Sequence, residues 1–179
     1  MLHIEKILEG KVAPALRKRA ATLTLPYEDR CRGKLAARLD DGREAALSLP
    51  DGTALRHGDV LVATDGTLVQ VAAAAQPVLR ATSGDALLLL RAAYLLGSRH
   101  LPVQAEAGAL LLERDPALRG MLLQLGLQVA EAQAAFDPES GADGHEHGHE
   151  HGHAHHHAHD HGHDHDHPHD HDHKHGHKH

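Results

Sequence analysis

The sequence of 179 residues contains one cysteine, Cys31, no tryptophan, and only three other aromatic side chains: Tyr27, Tyr94 and Phe136. A single cysteine excludes an intramolecular disulfide, and nothing in its usage points to an oxidising compartment. Arg30 and Arg32 flank it in DRCRGK, where cations lower a thiol pKa, but a free thiol without a task is the default reading. So few aromatics leave Leu, Val and Ala to build the interior, which suits small cores. Long apolar runs are missing too. No stretch approaches the roughly 18 residues of a membrane span, and MLHIEKILEGK lacks the apolar run of a signal peptide, so the expected location is the cytoplasm. Basic clusters interleaved with aromatics are absent, which argues against nucleic acid as a partner. Lys11, Arg17, Lys18 and Arg19 form the densest cationic stretch, and it reads as a solvated strand and loop surface. The net charge is −7, of which residues 1–144 hold only −2.

Histidine, by contrast, is abundant. Of the 35 positions from His145 to His179, 19 are histidine, most separated by one Gly, Asp, Glu, Ala, Pro or Lys. They are His145, His147, His149, His151, His153, His155, His156, His157, His159, His161, His163, His165, His167, His169, His171, His173, His175, His177 and His179. Imidazole is a borderline donor suited to Ni²⁺, Cu²⁺ and Zn²⁺, and its reference pKa of about 6.5 leaves it mostly neutral and available at pH 7. Seven carboxylates against two lysines give the segment a charge of −5, which concentrates cations around it. Interleaved acids and glycines distinguish it from a pure-histidine expression tag. A low-complexity tail with incidental metal affinity stays open on composition alone. With almost no apolar side chains to offset backbone ordering, it reads as a disordered, multi-site metal sponge.

The remaining 144 residues allow one domain or two small ones. As far as about Val71 the signals are those of strands: Ala21 to Leu25, Lys34 to Leu39, Glu44 to Leu49, Val60 to Ala63 and Leu68 to Val71. Asp41-Gly42, Asp51-Gly52, Gly58-Asp59 and Asp65-Gly66 punctuate them, and Asp41-Gly42 supplies positive-φ positions for a tight hairpin. Alanines 72 to 75 and Pro77 mark a junction. Beyond it, a strand at Val78 to Ala81 leads to a helix over Ala86 to Leu96, capped by Ser83, with Asp85 in its first turn and Gly97 as the stop. Short strands at Val103 to Glu106 and Ala109 to Leu112 follow. Asp115-Pro116 opens a second helix that runs to Leu125 and stops at Gly126, and Leu127 to Ala132 is the last strand. The expected fold is therefore α+β: a small all-β domain over 1–72, a ferredoxin-like βαββαβ domain over 76–136, and linker plus tail over 137–179.

Three histidines lie outside the tail. His3 is terminal and His57 sits in a Gly-Asp turn, both with a surface role as default. His100, in AAYLLGSRHLPVQ, follows the helix stop and precedes Pro102, so it projects from a constrained connection, although by residue type alone a lone histidine is structural or merely exposed. LTLPYEDR, RLDDGREAALSLPDGT, LRHGDVLVATDGTLVQV and AYLLGSRHLPVQ resemble, in order and spacing as far as Phe136, the UreE family of urease accessory nickel chaperones. The resemblance implies a partner-binding N-terminal β domain and a ferredoxin-like domain that dimerises. It also implies that His100 and its symmetry mate share one Ni²⁺, since two-fold symmetry doubles every ligand. The further loop histidines of some relatives are replaced here by Glu113, Arg114, Asp115 and Pro116.

The leading expectation is a homodimeric nickel metallochaperone, not an enzyme. It would collect Ni²⁺, with Zn²⁺ or Cu²⁺ as possible competitors, through His100 and the tail, and hand it to a urease maturation complex that includes a GTPase, without nucleic acid or membrane. A nickel or zinc buffer with no delivery partner is the alternative; the tail fits both, but a buffer has no need of 136 folded residues. A metal-dependent hydrolase is a weaker third reading, because catalytic metal sites want several fixed ligands and an open position, and the folded part offers one histidine.

Overall fold

The computed structural model describes residues 1–10 and 12–139. The linker residues 140–144 and all 19 histidines from His145 to His179 lie outside the described residues. The first sheet has six strands: β1 (Leu2–Ile7), β2 (Ala21–Leu25), β3 (Lys34–Arg38), β4 (Glu44–Ser48), β5 (Val60–Ala63) and β6 (Leu68–Ala73), in the order β2-β6-β5-β1-β4-β3. Alternating side chains reach opposite faces. In β4, Ala45 and Leu47 are buried while Glu44 and Ser48 face water. Ile4, Leu23, Leu47, Leu61, Val69 and Val71 converge in one core of aliphatic side chains.

The two hairpins share one design. Leu39 accepts from the Gly42 amide (2.9 Å) and donates to the Arg43 carbonyl (2.8 Å); Ala63 does the same with Gly66 (2.9 Å) and Thr67 (2.9 Å). Each loop thus has three residues and closes on one glycine at positive φ, Gly42 at 91° and Gly66 at 84°, rather than on two positive-φ residues. Asp41 has an ordinary conformation, and its carboxylate accepts the Arg43 amide at 3.0 Å.

The structure corrects the sequence reading in several places. The basic stretch holds a one-turn helix, α1 (Pro14–Arg17), begun by a proline whose missing N–H costs nothing there. A second short helix, α2 (Tyr27–Arg30), follows Pro26 and was not anticipated, because a single turn has no apolar period to read. The alanine junction is itself strand: β6 ends at Ala73, β7 (Ala75–Thr82) begins two residues later, and the Ala74 amide donates to Leu25 (2.9 Å). Pro77 is tolerated inside β7 because pairing with the strand on one side starts only at Val78.

The second sheet runs β10-β7-β9-β8, all antiparallel, with β8 (Gln104–Glu106), β9 (Ala109–Glu113) and β10 (Gln128–Ala135). Helix α3 (Ala86–Gly97) connects β7 to β8 and α4 (Pro116–Gln124) connects β9 to β10. Both cover one face, where Leu79, Ala81, Leu96, Leu110, Leu112 and Leu122 are buried. The cap of α3 is Asp85, whose carboxylate accepts the Leu87 amide (2.9 Å), not Ser83, whose hydroxyl accepts from Asp85 (3.0 Å). Asp115 caps α4 by accepting from Leu118 (2.8 Å). On the opposite face Val78, Leu111 and Phe136 meet Tyr27 of α2, so a small third core joins the two sheets. Asp137, linker by composition, belongs to this junction: its carboxylate lies 2.7 Å from Arg30 Nη1. Among the described residues no helix is long and apolar enough to cross a membrane.

Candidate metal site

The end of α3 presents His100. Gly97 does not stop the helix; it remains helical, and the turn closes three residues later. The Leu101 amide donates to Leu96 (3.2 Å) and the His100 amide to Gly97 (2.9 Å), the paired bonds of a Schellman closure. Leu101 packs beside buried Leu96 in the helix-side core. His100 therefore occupies the left-handed position, with φ 56°, and it is the one non-glycine residue with positive φ among the described residues. At the end of α4 the same closure, Leu127 to Leu122 (3.1 Å) and Gly126 to Leu123 (3.0 Å), uses a glycine with φ 91°. A Cβ in that conformation costs about 1 kcal/mol, so the sequence keeps a histidine where glycine is easier. Backbone strain of this kind is concentrated at functional positions.

The imidazole of His100 is exposed and makes no hydrogen bond with the described residues, so both ring nitrogens are open to an ion. Among the described residues no group of three or more His, Cys, Asp or Glu is placed to hold a metal. His100 is one potential donor, and a coordination sphere built on it would need donors beyond the described residues of this chain. His3, on β1, and His57 are not gathered with it. His57 is a structural turn residue: its Nδ1 accepts the Ala73 amide (3.2 Å) and its own amide donates to Asp137 (3.3 Å). Cys31 is an exposed thiol, and neither neighbouring arginine is turned to it: Arg32 pairs with Glu28 and Asp29, and Arg30 is buried elsewhere. Burial, then a hydrogen bond with Cys31, pushes the Tyr27 hydroxyl up to about 12. Glu106 pairs with Arg80, and Asp115 is spent on its cap.

The outer face of α3 is a feature that residue-by-residue reading missed. Leu87, Leu90 and Tyr94 are 53%, 66% and 80% exposed and follow one another at helical spacing on the helix that ends in His100. The signal was present: only Arg91 interrupts the apolar run from Ala86 to Leu96, and a helix apolar all round has a second face to bury. The other residues missed are Arg30 and Asp137, which carry no pattern that marks them in sequence.

Comparison with known proteins matches the description "UreE urease accessory protein, N-terminal domain" to residues 4–74 and "UreE urease accessory protein, C-terminal domain" to residues 76–179. A urease accessory protein of Ralstonia nicotianae is 55% identical over 151 residues, covering 82% of this chain and 72% of its own. One of Burkholderia thailandensis is 58% identical over 139 residues, covering 76% of this chain and 65% of its own. With both family domains matched in order and more than half of the aligned residues shared with such relatives, the chain belongs to the UreE family of urease accessory proteins.

Proposed function

We propose that this chain is a nickel chaperone of urease assembly: it binds Ni²⁺ as cargo and delivers it to apo-urease. It is an accessory protein and not an enzyme. His100 carries this reading, as a histidine held in a glycine conformation, exposed, and placed at the end of an unpartnered apolar helix face. That face is the surface on which two copies pair as a homodimer. A two-fold axis near the end of α3 brings two His100 imidazoles to one ion, and His145 to His179 supply further ligands and collect the metal. The domain roles follow: residues 1–72 bind partners, residues 76–136 form a ferredoxin-like dimerisation domain, as the element order β7-α3-β8-β9-α4-β10 supports, and residues 137–179 are linker and metal-collecting tail. The receiving partner is a urease maturation complex with its GTPase, in the cytoplasm. Ni²⁺ is selected by supply and partners, since imidazole sites favour Cu²⁺ over Ni²⁺ in intrinsic affinity.

A storage protein without a delivery partner is the alternative, and two folded domains of an accessory family disfavour it. Nickel titration of the full chain, of a truncation at Gly144 and of the truncation with His100→Ala tests the proposal, alongside urease activation in vitro. The truncation should lose most bound ions and keep one tight Ni²⁺ per dimer, and His100→Ala should remove that one. Equal tight binding with and without His100 refutes the site; nickel binding with no effect on urease activation leaves the buffer.

A further inference from the structure

Two separate attachments join the first sheet to the second. One is the chain itself: β6 ends at Ala73 and β7 begins at Ala75, so Ala74 alone lies between them. A single link of this kind leaves a hinge, and relative motion is the default for two folded parts so joined. The other attachment is noncovalent and is made where the chain leaves β10. Phe136, fully buried, meets Tyr27 of α2 edge to face at 5.3 Å, beside Val78 and Leu111 of the second sheet. The Tyr27 amide also donates to Gln76 Oε1 of β7 (2.8 Å).

A buried charge stands at this second attachment. Arg30, the last residue of α2, is 1% exposed. Its Nη1 donates to the Leu55 carbonyl (2.9 Å) and to Asp137 (2.7 Å), its Nη2 donates to the Phe136 carbonyl, and its Cζ lies 5.5 Å from the centre of the Tyr27 ring. Asp137 is held from both sides. Its carboxylate also accepts the His57 amide (3.3 Å) and lies 3.4 Å from Arg56 Nε, while its amide donates to Gln104 Oε1 of β8 (2.7 Å). Packing alone does not call for the guanidinium: its Nε makes no hydrogen bond among the described residues, and an apolar residue of similar volume often packs as well or better. What it adds is direction. An aromatic contact tolerates sliding, whereas a planar guanidinium fork meets two carbonyls and a carboxylate together in one relative placement of the sheets.

We propose that Arg30 and Asp137 form a lock that holds the two sheets at one fixed angle, so that they move as one rigid body and not as two domains on a hinge at Ala74. Removing one partner of a buried ion pair leaves the other charge uncompensated, and swinging open is then the way to return it to water. Without Asp137, Arg30 therefore works against the closed arrangement that it otherwise fixes. The lock involves no metal, and it stands or falls apart from the nickel reading.

The test is backbone ¹⁵N relaxation of the full chain with chelator, on the parent, Asp137→Asn, Arg30→Met and the double variant. In the parent, amides of β1 to β6 and of β7 to β10 should report one common rotational correlation time. In each single variant that common value should be lost, with the first sheet tumbling faster than the second while both keep their dispersed amide signals. The double variant should separate them no further than the more affected single variant, since the two residues act through one contact. Asp137→Asn is nearly isosteric and lies outside the aliphatic cores, so it decides the matter alone should circular dichroism show Arg30→Met unfolded. A common correlation time in either folded single variant overturns the proposal, even with a lower melting temperature, because the pair would then support the fold without fixing the angle. Two correlation times in the parent overturn it as well.

Discussion

Replacement of His100 by glycine should make the metal-free protein more stable while it removes the proposed metal site. His100 holds φ 56° in a closure that α4 makes with Gly126 at φ 91°. Glycine at His100 would relieve about 1 kcal/mol of left-handed strain and give back a few tenths through the greater freedom of the unfolded chain, a net gain of about 0.5 to 1 kcal/mol. For a folded body of this size that raises Tm by about 2 to 4 °C. His100→Ala keeps the Cβ and the strain, so its stability should stay within about 0.5 kcal/mol of the parent. The reciprocal change, Gly126→Ala, should cost about 1 kcal/mol through conformation alone, since a Cβ there meets only Leu88 Cδ2 at an ordinary 3.8 Å. The assay is thermal and urea denaturation with chelator. Repeated with Ni²⁺ at about 100 times the dissociation constant, it should reverse the order, because the parent gains about 2.7 kcal/mol from ligation that His100→Gly does not. A lower Tm for metal-free His100→Gly would refute the reasoning, since it would mean that the imidazole contributes packing that outweighs the strain.

The tail should take up many ions per chain at pH 7.5 and release nearly all of them at pH 5.5, because imidazoles must be neutral to bind; undiminished stoichiometry by calorimetry at pH 5.5 would exclude histidine as the main ligand. At the junction of the two sheets, burial pushes the Asp137 carboxyl up, but hydrogen bonds from Arg30 and the His57 amide, with the charge of Arg56, outweigh it and hold it below the usual carboxylate range. A depressed folded-state pKa means that its contribution is full above the unfolded carboxylate value of about 3.9 and is lost as pH falls through the lower folded value. Acid denaturation of Asp137→Asn should therefore lack that part of the parent's pH dependence below about pH 4, and superimposable curves would exclude a charge-based contact between Asp137 and Arg30. Gly33→Ala should destabilise by more than about 1 kcal/mol, since its Cβ would stand 2.9 Å from the carbonyl oxygens of Leu49 and Pro50, both backbone atoms; an unchanged urea midpoint would show that the β3–β4 ladder yields there.

Local chemistry made much of the architecture legible in sequence. Strands β2 to β6 announce themselves by short aliphatic runs between Asp-Gly turns, and α4 by an aspartate cap, an N1 proline and a C′ glycine, because these devices act within a few residues. His100 could be singled out from the resemblance, although its left-handed backbone could not: Gly97 offered a nearer stop, and the closing turn, with Leu101 packed beside Leu96, falls three residues further on. The same limit hid Arg30. Written in DRCRGK it is one more solvated cation, and it becomes a buried tie only when β10 brings Phe136 and Asp137 back beside α2, a contact across 107 residues that no local pattern encodes. Composition and periodicity thus determined the sheets, the helices and the store of imidazoles, since each depends on near neighbours in the chain. The tertiary structure decided which histidine is strained, which helix face is exposed among the described residues and where Arg30 is buried, because those properties depend on residues that meet only after folding.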